Sequence, residues 1–205
     1  MRKLLITLAG ATALTAATAA NATTFTGSTL GCFGPSCTVA GASSTSGITF
    51  TGGAFSLADS NGFLSIGTDA TANSLGLISL ATLPSSWVNV PFSLQVSFTA
   101  PPGTSPNPTL YSALLNGSVS ATAAGGAQFV FSNPLQNFSF TGGTFSLDVN
   151  NLSVSPGAVN VPLNGTIRVL SAVPEPATWA LMLLGFGGMG MAMRRRRRPA
   201  LAQLA

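Results

Sequence analysis

The side chains able to do chemistry are few and far apart. Between Thr23 and Val173 the acids are Asp59, Asp69 and Asp148, and the only cation is Arg168. Histidine is absent from the whole chain, which excludes Ser-His-Asp and Cys-His schemes and removes the commonest zinc ligand. The single lysine, Lys3, lies in the leader, so Ser-Lys and Schiff-base chemistry have no amine in the body. A hydrolase built on Asp59, Asp69 or Asp148 would need two of them at a fixed separation across a sugar. Asp59-Ser60-Asn61 and Asp148-Val149-Asn150 read instead as turns, where Asp bonds nearby backbone. The same turns could offer oxygens of Asp59, Asn61, Asp148 and Asn150 to Ca²⁺. Both lack the further acids and bidentate Glu of an EF-type loop, so no metal or other cofactor is expected.

Two further pairs merit weighing. Cys32 and Cys37 enclose C-F-G-P-S-C, a spacing too long for a C-x-x-C redox pair and too poor in ligands for a metal site. A disulfide-closed loop formed in an oxidising compartment is the expectation. Trp87 and Tyr111 are the only non-Phe aromatics of the body. Exposed, they would make a platform for stacked sugar; half-buried, they are ordinary core residues.

The elements that must position these residues read as short strands. Phe92–Thr99 alternates cleanly, with Phe92, Leu94, Val96 and Phe98 on one face. The same period of two runs through residues 48–50, 55–57, 63–66, 129–131, 138–140, 145–149 and 166–170. Leu75–Leu83 fits a strand or a short helix. Asn116-Gly117, between apolar runs at 110–115 and 118–122, predicts a two-residue hairpin. Prolines punctuate the ends, and no long amphipathic helix interrupts the body. The expected fold is mainly β, an antiparallel β-sandwich or jelly roll.

The body also repeats. Phe50–Leu57 (FTGGAFSL) and Phe140–Leu147 (FTGGTFSL) are each followed by Asp-x-Asn, then Leu-Ser-Ile or Leu-Ser-Val, then Val-Asn-Val-Pro. Phe25–Leu30, FTGSTL, is a fainter echo. The order of these pieces predicts a sandwich of two related β-units, with Gly-Gly at a bulge or tight bend.

Both ends carry targeting signals. Residues 1–22 have a basic start, an apolar Ala/Thr-rich run and small-x-small cleavage sites, so they read as a signal peptide cut near Ala22. Residues 23–172 form the exported domain. Its three aspartates against one arginine leave it slightly acidic, and nucleic-acid binding has no electrostatic basis. In the tail, 173–198, Pro174 and Pro176 exclude a helix that runs through them. Ala177–Met193 is uncharged and reaches roughly 25 Å as a helix, close to a ~30 Å hydrocarbon core. Trp179 suits the headgroup level, and Arg194, Arg195, Arg196, Arg197 and Arg198 form a cytoplasmic stop. A C-terminal transmembrane helix over 177–193 is therefore expected, with 199–205 a short cytoplasmic end.

Pro174-Glu175-Pro176, Trp179-Ala180, the Met/Leu/Gly helix and the arginine cluster together resemble the PEP-CTERM sorting tail in its PEPxxWA form. The resemblance covers about twenty-five residues and does not extend to the body. It implies a surface or extracellular protein of a Gram-negative bacterium, passed through the inner membrane. It also implies an exosortase, a membrane transpeptidase-like enzyme, that reads Pro174, Glu175 and Pro176 and cuts near them. A surface or exopolysaccharide matrix is the implied destination. The expected function is thus a non-enzymatic envelope or biofilm-matrix protein. The alternative is a secreted carbohydrate-binding module that uses Trp87 and Tyr111, with an Asp-dependent hydrolase behind it.

Overall fold

The computed structural model describes residues 22–68, 73–172 and 176–196. The leader, Asp69, Pro174, Glu175, Arg197, Arg198 and residues 199–205 lie outside the described residues. Strands and sheets follow the alternation of the sequence. A six-stranded antiparallel sheet has the order β12 (Leu152–Val154), β9 (Gly125–Phe131), β8 (Thr109–Val119), β7 (Ser85–Ala100), β1 (Thr24–Phe33) and β4 (Ala54–Ala58). A four-stranded sheet has the order β10 (Leu135–Phe140), β11 (Gly143–Val149), β14 (Gly165–Ala172) and β5 (Phe63–Ile66). A second has β13 (Val161–Pro162), β6 (Leu77–Leu80), β3 (Ile48–Thr51) and β2 (Ala42–Thr45).

The two smaller sheets cover one face of the large one, and β7 shows how. Phe92, Leu94, Val96 and Phe98 are all buried, as their alternation predicts. At one end Phe92 packs on Phe50 of β3, ring centroids 5.2 Å apart. At the other, Phe98 meets Phe138 and Phe145 of the β10–β11 sheet at 5.2 and 5.1 Å. The smaller sheets are tied by backbone bonds from Leu75 N to Leu163 O and from Leu163 N to Gly76 O. One continuous apolar core results, and edge-to-face phenylalanine pairs bind its layers beyond their area burial.

Several expectations need correction. Asn116-Gly117 makes no hairpin: β8 runs straight through it, and the turn falls at Ser120–Ala124, where Ala123 takes a positive φ of 56°. A Cβ at Gly117 would collide with the carbonyl of Gly126 on the neighbouring strand. Asn116 Oδ1 accepts from Asn89 N at 2.7 Å, holding a bulge in β7. The dipeptide therefore serves close strand approach and bulge pairing rather than a turn. Within residues 75–83, Leu77–Leu80 forms a strand, β6, and there is no helix.

The two repeats are not two equivalent β-units. In the first, Gly52-Gly53 carries the chain from β3 in one sheet to β4 in another. In the second, Thr141-Gly142 closes a hairpin between β10 and β11 of the same sheet. Asp59 follows the end of β4 in a turn, whereas Asp148 lies inside β11, opposite Leu135 and Thr166. The last motif keeps its local bend: Asn89 and Asn160 of the two Val-Asn-Val-Pro segments share φ near 51° and 55°. Like sequence reproduces the local bend here, while pairing partners differ.

The tail forms the one described helix, α1 (Pro176–Arg196), exposed from Ala180 to Arg194. Among the described residues no helix is long and apolar enough to cross a membrane. That corrects the expected transmembrane span over 177–193. Gly185, Gly187, Gly188 and Gly190 dilute its apolarity, and arginines follow directly at 194.

Candidate functional site

Among the described residues, those that bear chemistry do not converge on a single cleft. Asp59 closes its turn with both oxygens: Gly62 N donates to Oδ2 at 2.7 Å, and Thr23 N donates to Oδ1. Asn61 and Gly62 supply the positive φ values, 54° and 77°. The aspartate is thus engaged by backbone, as an Asx turn requires. Asp148 stands on the outward face of its sheet, and Asn150 is exposed beyond it, its N–H given to Asn164 O at 3.0 Å. The equivalent pair of turns on which a calcium reading relied is therefore absent. Among the described residues no group of three His, Cys, Asp or Glu side chains gathers.

Trp87 and Tyr111 are likewise corrected as sugar platforms. Trp87 is 2 % exposed and Tyr111 is 0 % exposed, so neither offers a ring face to a ligand. Both lie on the inward-facing rows of β7 and β8. The Tyr111 hydroxyl donates to Leu147 O at 3.2 Å, linking the large sheet to β11. Burial pushes its ionisation well above the ordinary value, and the charge of Asp148 pushes the same way. Indole Nε1 of Trp87 is buried without a hydrogen-bond partner. Volume, not polarity, explains that residue.

Cys32 and Cys37 are bonded to each other, with Cα atoms 5.7 Å apart. The loop ends β1, and Gly34 N donates to Pro91 O, pinning it to β7. A shallow groove of about 470 Å³ lies beside Gly52, Gly53, Ser56 and Asn73. Another, of about 450 Å³, lies beside Asn116, Gly126, Gln128 and Ser153. Neither is lined by a titratable side chain.

One cluster escapes reading from sequence. Across the β10–β11–β14–β5 sheet, register puts Asn137 opposite Ser146, Ser146 opposite Arg168, and Arg168 opposite Phe63. The Arg168 guanidinium lies over the Phe63 ring, 5.5 Å from its centroid. Period-two alternation puts each of these residues on the outer row, where Ser146 is nonetheless buried. Their adjacency depends on pairing between strands a hundred residues apart, which no local signal encodes.

The described residues thus form a mainly β body of antiparallel sheets, followed by the C-terminal helix. The PEP-CTERM protein-sorting motif matches residues 172–198, which takes in Pro174, Glu175, Pro176, Trp179, Ala180 and the arginine cluster. The motif implies an exported, envelope-associated protein and an exosortase as its processing enzyme. No curated protein and no solved structure matches the chain.

Proposed function

We propose that this chain is a non-enzymatic protein of the bacterial surface or extracellular matrix. It is exported through a cleaved leader, held briefly at the inner membrane, and released or transferred by exosortase cleavage near Pro174-Glu175-Pro176. The sorting motif over 172–198, placed directly after the last body strand, carries this reading. The helix supports a transient hold. Its exposed Leu181, Leu183, Leu184 and Phe186 suit contact with lipid, although no described helix is long and apolar enough to cross a membrane. The body supports a structural role, since its described carboxylates form a turn and a strand position rather than an acid–base pair. A nearly uncharged Ser/Thr/Asn surface tolerates dense packing in a neutral matrix such as exopolysaccharide.

The test is the intact mass of the protein recovered separately from membrane and extracellular fractions of its own cells. A chain starting near Thr23 and ending near Pro174–Pro176 outside the membrane is the expected result. A chain that keeps Ala177–Ala205 in every fraction would sink the sorting reading and leave a permanent tail.

A further inference from the structure

We propose that the outer face of the six-stranded sheet is the seat of a second copy of this chain, giving a face-to-face dimer. One face of this sheet is covered by the two smaller sheets; the other is open. Alternation assigns its open rows: Leu30 stands opposite Gln95, Gln95 opposite Leu110, and Leu114 opposite Val130. The aliphatic side chains there are exposed: Leu30 by 36 %, Leu110 by 56 %, Leu114 by 39 % and Val130 by 38 %. Gln95, Ser93 and Ser112 lie between these aliphatic side chains, and Ser97, Asn116, Gln128 and Ser153 lie beyond them, so aliphatic rows alternate with uncharged polar ones.

Among the described residues the face contains no charged side chain. The described charges of the body lie elsewhere, Asp59 in its turn and Asp148 and Arg168 on the opposite four-stranded sheet. A water-facing protein surface ordinarily carries interspersed charges of both signs, and these are missing from this face. An uncharged face gives a charged partner nothing to complement. It does suit pairing with itself, because a two-fold axis sets like against like and no repulsion results. Six strands spaced at about 4.8 Å span about 24 Å, and over the roughly 25–33 Å along which the inner strands run together they present about 600–800 Å². That approaches the ~800 Å² per partner of a standard stable interface. Two such sheets would pack about 10 Å apart, their aliphatic rows interleaved.

The inference does not depend on tail cleavage, since the uncut chain carries the same face. Sedimentation equilibrium of the full chain in a nonionic detergent, corrected for bound detergent, tests it. The wild-type protein should have the mass of a dimer. Leu110→Glu with Leu114→Glu should reduce that mass by about half, and so should Val130→Glu on the adjacent strand. Leu170→Glu, on the outer face of a smaller sheet, should leave the dimer intact. Each variant is accepted only with a cooperative melt, and the two face variants lie on different strands so that one folding failure does not decide the matter. A monomeric wild-type protein would overturn the proposal. So would a dimer that survives the folded face variants, because association would then run through α1 or another surface.

Discussion

Glycine and tyrosine decide most at the scale of single residues. A Cβ at Gly53 would run into the carbonyl of Ser74, and one at Gly52 into that of Thr29, both rigid backbone atoms. Gly52→Ala should therefore cost about 1–3 kcal/mol, as overpacking does, read from denaturant midpoints. Gly142→Ala in the second copy should cost less, since its Cβ meets only the neighbouring Phe140 ring at 2.7 Å. Equal losses at the two sites would contradict the different roles assigned to the repeats. Tyr111 is the only tyrosine of the chain, so its ionisation can be followed without interference. Its folded pKa is raised above the ordinary value near 10. The stability it contributes is then fully present below that value and lost as pH rises toward the raised one, because the unfolded phenol releases its proton first. Phenolate absorbance should appear together with unfolding in an alkaline titration. A phenolate that formed near pH 10 in a still-folded protein would show the hydroxyl to be open to water.

Elements owe their existence to local pattern and their company to distant pairing. The rows at 63–66 and 92–98 form the strands their alternation predicts, since a half-buried strand needs only a period of two. Asn116-Gly117 satisfies a hairpin signal yet lies in mid-strand, because β7 and β9 approach from both sides and impose extended pairing. The Cys32–Cys37 link is a local feature, and its benefit follows from the short loop it closes. Replacing both cysteines by serine should lower stability by about 2 kcal/mol with little change in the denaturant slope. Loss of the β-sheet signal on reduction would instead make the loop essential for folding. The repeat teaches the same lesson from the other side. FTGG leads out of β3 into another sheet in one copy, and closes a hairpin in the other, because the edge waiting for each following strand differs.

For the molecule as a whole, intact-mass analysis decides whether the tail is a discarded address, and sedimentation decides whether the open sheet is covered by a second copy. The tail was legible in the sequence because a sorting signal must be readable in a linear chain: proline, tryptophan and arginine spacings lie within one short segment. The class of fold was legible for a related reason, since alternation reports which half of each strand meets water. The disulfide was legible too, both cysteines lying in one loop. Burial of Trp87 and Tyr111, the divergence of the two repeats, and the Arg168–Phe63 contact were decided only by tertiary structure. Each depends on which strands become neighbours, and that choice is made by the shared core of phenylalanines from three sheets rather than by any segment alone. The open, uncharged face has the same origin. Its residues are scattered from Leu30 to Ser153, and only the register of six strands brings them onto one surface.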